Sequence, residues 1–197
     1  MNTPESEIRS AIHNLAVDLV KAVVKNPSSV VVEHSIHGNL DAFAVRVDPD
    51  DVRRVIGSRG KHFKSLQHVI VSACKALGRE GFFAVKEDVM VRPVPTLSRV
   101  FPLDSGRPFD PVRGLLERVI GVFLSNPKDF SIVDKDFGSG HLFEIKVNSA
   151  TYPQIMGETI VFDYGPDGAN IGMIKNLFDA IGKNHGKLVK IVLTKIG

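Results

Sequence analysis

The sequence predicts an α+β protein built as two similar small domains, each a three-stranded sheet with helices packed on one face. Three observations predict it. A pattern of apolar runs occurs twice along the chain, period-two segments alternate with helix-period segments in each copy, and a proline-rich stretch separates the copies. With 197 residues there is room for two units of this kind.

Each copy opens on a helix. Val20-Lys21-Ala22-Val23-Val24-Lys25-Asn26-Pro27 is echoed by Ile120-Gly121-Val122-Phe123-Leu124-Ser125-Asn126-Pro127. Both helices are expected to end at Asn-Pro, because the residue before proline avoids the α region and proline cannot continue the ladder. Two strands follow: Ser29 to Glu33 then Asp41 to Val47 in the first copy, and Phe130 to Val133 then Leu142 to Val147 in the second. Their apolar residues alternate, as in half-buried strands. A short helix and a glycine turn come next, Gly57-Ser58-Arg59-Gly60 in one half and Gly165-Pro166-Asp167-Gly168 in the other. About eight extra residues precede the second turn, within Asn148 to Tyr164.

After each turn the apolar residues fall on one helical stripe. Phe63, Leu66, Val69, Ile70 and Ala73 make it in the first copy, Ile171, Ile174, Leu177, Phe178 and Ile181 in the second. A closing strand completes each half, Phe82 to Lys86 and Leu188 to Leu193. The order is αββααβ twice over. The expected boundaries are 1–91, a stiff linker 92–110 holding Pro93, Pro95, Pro102 and Pro108, and 111–197.

Composition narrows the function classes. Hydrophobic residues at 43% and charged residues at 24% argue against wholesale disorder. The lone cysteine, Cys74, excludes an internal disulfide framework and a cysteine-based zinc site, and its place among Ala73 and Ala76 on the expected helix marks it as packing. Met1 to Arg9 is no signal peptide, and no apolar run nears the roughly 18 to 20 residues of a membrane span, so a cytoplasmic protein without membrane contact is expected. His34 and His37 are read as lying on a solvated loop, and Asp48, Asp50 and Asp51 as the acidic start of the short helix. No metal cluster, Walker loop, nucleophile elbow or dinucleotide fingerprint is found, so neither a cofactor nor an enzymatic activity is expected.

The charge is local. The net charge is only +3, yet Val52 to Arg79 contains no Asp or Glu while Arg53, Arg54, Arg59, Lys61, Lys64, Lys75 and Arg79 supply seven cations. A glycine turn at the start of a helix exposes backbone N–H groups beside the positive end of the helix dipole. Cations on both flanks make the turn at Gly57 to Gly60 a phosphate-binding candidate.

In the order of its elements and in Val52-Arg53-Arg54-Val55-Ile56-Gly57-Ser58-Arg59-Gly60-Lys61, the first copy resembles the type II KH domains of short bacterial RNA-binding proteins. The likeness covers roughly Ile8 to Glu87, and the second copy, roughly Pro111 to Leu193, resembles it in outline only. In that family the G-x-x-G loop clamps about four single-stranded nucleotides by their backbone. Carried over by position, Gly57 and Gly60 allow phosphate approach and Ser58 and Arg59 form the tip. Val55 and Ile56 belong to an apolar floor and Lys61 and Lys64 to the phosphate track, while of Arg53 and Arg54 one reaches the RNA backbone and the other is solvated. His62 is placed to bond a phosphate or base, while Phe63 is assigned to the core. Low aromatic content, with no Trp and two Tyr, fits a groove that needs no stacking platform.

The second turn departs from the pattern. Pro166 lacks a backbone donor and Asp167 puts a negative charge where a phosphate would sit. A degenerate module is expected there, used for packing on the first domain, dimerisation or partner binding. The resemblance implies capture of single-stranded RNA, in RNA regulation, translation or ribosome maturation. It also makes another KH-containing or ribosome-associated protein, or a second copy of this chain, a candidate partner. The competing expectation is that both halves are protein-interaction scaffolds with little or no RNA binding.

Overall fold

A computed structural model describes residues 4–86, 110–126, 129–137, 140–157 and 168–196. The first half contains helix α1 (Pro4–Val23), strands β1 (Val31–His37) and β2 (Leu40–Arg46), helices α2 (Pro49–Ile56) and α3 (Lys61–Ala76), and strand β3 (Glu80–Val85). The second repeats the order with α4 (Asp110–Gly121), β4 (Phe130–Asp136), β5 (Gly140–Val147), α5 (Tyr152–Met156), α6 (Ala169–Asn184) and β6 (Leu188–Lys195). The expected αββααβ series is present twice, as two three-stranded sheets. The proline-rich stretch 92–110 lies, apart from Asp110, outside the described residues.

Each sheet places its second strand in the middle. β1 runs antiparallel to β2 and β3 parallel to it, and β4, β5 and β6 do the same. A parallel neighbour needs a crossover, and α2 with α3, or α5 with α6, supplies it. Phe43, Val45 and Phe83 turn inward from the first sheet, Phe143, Ile145 and Ile191 from the second, and all are buried. Their alternate neighbours face out, Phe82 being 52% exposed and Val192 45%.

The helices of the two halves pack face to face, α3 on α6 and α1 on both α4 and α6, with a sheet on either outer side. The result is one continuous core, reaching from Leu19 and Ile70 across to Leu116 and Phe178. Arg118 pairs with Asp18 at 2.8 Å across this junction. Asn184, at the end of α6, donates through Nδ2 to the carbonyls of Ala22 and Val24, at 3.1 and 2.7 Å.

Those bonds account for one departure from expectation. The opening helices stop at Val23 and Gly121, short of Asn-Pro. In the first half the N–H groups of Lys25 and Asn26 turn to the carboxylate of Asp51, both at 2.9 Å, instead of continuing the helical ladder. Asp51 is therefore more than an acidic helix start: it is 1% exposed and ties the end of α1 to α2. Asp48 keeps the expected role, its side chain capping the N–H of Asp50 at 3.0 Å.

His34 is also placed differently from the solvated loop expected of it. β1 extends to His37, and the His34 ring stacks on Phe43 with centroids 4.4 Å apart. Its Nε2 lies 2.7 Å from Asp41, whose other carboxylate oxygen accepts from Arg79. The second half uses the same two sheet positions with the partners exchanged, Asp134 on β4 and His141 on β5, 3.0 Å apart. His37 is exposed at the end of β1.

Cys74 is buried on α3, and burial pushes its thiol up to about 11, which makes it inert packing.

Candidate nucleic-acid interface

The site begins with the short helix α2. Asp50 and Asp51 occupy its first turn and Arg53 and Arg54 its last, the arrangement a helix dipole favours. Val55 is fully buried and anchors the helix to the core, so its contribution is to hold the turn and not to touch a ligand. Ile56 is half-buried beside the turn. Arg54 reaches back to Asp51 at 3.4 Å, while Arg53 is exposed.

Gly57 ends α2, its N–H donating to the carbonyl of Arg53 at 2.9 Å. Its φ of 72° and ψ of 175° belong to a region open essentially to glycine. A Cβ there would collide with the ring of His62. Ser58, Arg59 and Gly60 then make one tight turn, closed by the Gly60 N–H on the carbonyl of Gly57 at 3.2 Å. Arg59 (φ 55°) and Gly60 (φ 74°) are both left-handed. Among the described residues Arg59 is the one non-glycine with positive φ. A left-handed L-residue costs about 1–2 kcal/mol, and such strain gathers where a loop serves a ligand.

The turn delivers the chain into α3 with Gly60 as N-cap; the Lys61 N–H donates back to the Ser58 carbonyl, and no side chain caps the N–H groups that follow. Ser58, Arg59, Lys61 and Lys64 are exposed around them. The expected patch is thereby narrowed. Arg79 is committed to Asp41 and to the carbonyl of Gly38, and Lys75 stands in the last turn of α3, about 21 Å along the axis from Lys61. The cations grouped at the turn are Arg53, Arg54, Arg59, Lys61 and Lys64.

His62 has a structural task that spacing did not reveal. Its Nδ1 lies 2.8 Å from the carbonyl of Arg54, so Nδ1 carries the proton and the ring seals the back of Gly57. Phe63 packs on the core, its ring 5.9 Å from Phe83, as expected.

The same construction recurs in the second half, at a place sequence reasoning missed. Gly157 ends α5 with φ 70° and ψ −178°, and a Cβ on it would meet Asn170 at 2.7 Å. Asn170 donates through Nδ2 to the carbonyl of Gln154 at 2.8 Å, as His62 does to Arg54. Gly157 is thus the counterpart of Gly57, and Gly168, N-cap of α6, that of Gly60. From Phe43 and Phe143 to Gly57 and Gly157 the halves keep step. The extra residues fall wholly between Gly157 and Gly168, so none precede the turn. Gly165, Pro166 and Asp167 lie in that stretch, outside the described residues. Gly168 is extended (φ −66°, ψ 163°), unlike left-handed Gly60. The missed signal was Val55-Ile56-Gly57 against Ile155-Met156-Gly157, at equal distance after the paired central strands.

The two turns differ in what faces them. Asn170 Oδ1 accepts from Nε2 of His68 on α3 at 2.8 Å, and the His68 ring stacks on Phe123 at 5.7 Å. The second turn's helix is therefore bonded to the first half. Among the described residues no group of three or more potential metal ligands occurs, and no helix is long and apolar enough to cross a membrane.

Residues 13–82 fit the family model described as the KH domain of KhpA and KhpB, a match that runs from within α1 through the glycine turn into β3. No curated protein matches the chain.

Proposed function

Because the first domain of this chain is a KH domain, a fold of an RNA-binding family, we propose that it clamps short single-stranded RNA at the turn Gly57 to Gly60. The observation that carries the reading is the coincidence at one point of three features. These are a glycine-locked backbone turn, an uncapped helix N-terminus and the side chains of Arg53, Arg54, Arg59, Lys61 and Lys64.

The physical sequence is short. A phosphate enters over Gly60, where the space a Cβ would take is open, and the N–H groups of α3 that follow Lys61 donate to its oxygens. Ser58 offers a hydroxyl donor, and Arg59, held outward by its left-handed backbone, supplies a guanidinium suited to bidentate phosphate contact. Lys61 and Lys64 continue the track along α3. Bases lie toward half-buried Ile56, since Val55 is closed off. The grip is sequence-tolerant and salt-sensitive, because it is made largely to phosphates.

The second domain serves in this reading as a structural partner. Its α6 is bonded to α1 and α3 of the first domain, and its counterpart turn carries none of the cations. Roles in RNA regulation, translation or ribosome maturation fit such a protein, as does a partner protein or a second copy that adds binding surface.

Titration of short single-stranded RNA at low salt against wild type and the Arg59→Asp, Lys61→Asp double variant tests the proposal. Loss of at least tenfold in affinity with an unchanged unfolding midpoint is expected. Equal binding by the folded variant, or no binding by wild type, would leave the interaction-scaffold reading in its place.

A further inference from the structure

The groups assigned so far to the phosphates at the RNA-binding turn all act there as hydrogen-bond donors: backbone N–H, hydroxyl, guanidinium, ammonium. His62 adds the opposite. A carbonyl can only accept, so the bond to Arg54 fixes the proton on Nδ1 and leaves Nε2 of the neutral ring as a bare acceptor. The residue is half-buried, Nδ1 makes the ring's hydrogen bond to the described residues, and Nε2 is not enclosed by them. It meets solvent at the turn.

The second half shows what such a position takes. Asn170 is the second residue of α6 as His62 is of α3, and both seal a glycine and bond the carbonyl three residues before it. At Asn170 the remaining acceptor is filled by an N–H donor, Nε2 of His68. At His62 the remaining acceptor has no protein donor among the described residues. Nucleic-acid phosphates carry only acceptors and would repel it. A ribose offers one donor that a deoxyribose lacks, the 2′-hydroxyl.

Resting on the RNA reading above, we propose that His62 Nε2 accepts a hydrogen bond from a ribose 2′-hydroxyl and makes the first domain prefer RNA to DNA. His62 is then both the brace of Gly57 and the residue that reads the sugar. The base N–H groups are common to the two nucleic acids and would give no such preference.

The test uses the full chain at about pH 8. The probes are a random-sequence single-stranded RNA, DNA of the same sequence, and the 2′-O-methyl RNA, which keeps the ribose but has no hydroxyl proton. Wild type is expected to bind RNA about three- to tenfold more tightly than the other two, the span of one neutral hydrogen bond. His62→Asn keeps a donor for the Arg54 carbonyl, as Asn170 does for Gln154, but its oxygen stops short of the Nε2 position. It should weaken RNA binding more than DNA binding, so that the two affinities meet. Equal wild-type affinity for RNA and DNA overturns the inference while leaving the RNA-binding reading standing, and that comparison needs no variant. An equal loss on both probes in His62→Asn also overturns it, since a brace alone would act on either. Binding to none of the probes sinks both readings together.

Discussion

Two glycines three apart do different work. Gly57 sits at φ 72° with the ring of His62 where a Cβ would be, while Gly60, at φ 74°, has nothing within 4 Å of that point. Gly57→Ala therefore meets backbone strain and a ring pinned by Arg54, and Gly60→Ala meets strain alone. Urea unfolding should show Gly57→Ala losing about 2–3 kcal/mol and Gly60→Ala about 1 kcal/mol. Equal losses would mean that the His62 ring yields and is no brace. The sequence showed the glycines and the charge, because both are local. It did not show the left-handed Arg59 or the His62 brace, since each depends on how α2 and α3 meet in space.

At the scale of elements, the sheets are stitched by ion pairs as well as by the ladder. In the first, Asp41 on β2 joins His34 on β1 to Arg79 before β3. Burial works against ionisation of Asp41, but the hydrogen bonds from Arg79 and His34 outweigh it and hold the carboxyl below its ordinary 3.8. A carboxyl lowered in the folded state contributes stability above its unfolded value, and that contribution fades as pH falls through the folded one. The urea midpoint of wild type should thus exceed that of Asp41→Asn at neutral pH, with the gap closing below about pH 4. A gap that stays constant down to pH 2 would show that charge at Asp41 is not what joins the strands. Strand periods were legible because Phe43 and Val45 alternate with small residues. The reach of β1 to His37 was not, since polar His34 enters the sheet only by virtue of Asp41 across the hairpin.

For the molecule as a whole, the repeat was legible and its register was not. Matching the glycine spacing aligned Gly165 with Gly57. Matching the strands aligns Gly157 instead, and puts all the extra residues in the stretch of sequence between Gly157 and Gly168. The helix-to-helix packing of the halves could not be read from either copy alone. The bonds that make it, His68 to Asn170 and Asn184 to Ala22 and Val24, join positions far apart in the chain. They leave the cationic turn of the first domain facing outward and bind its counterpart helix inward. The account's central claim is this division of labour. The most direct measurement is the change in backbone amide resonances as single-stranded RNA is added to the full chain. Shifts concentrated at Gly57 to Lys64, with Gly157 and Ala169 to Gly172 unmoved, are the predicted result. Shifts centred on the second domain, or none at the first turn under saturating RNA, would contradict it.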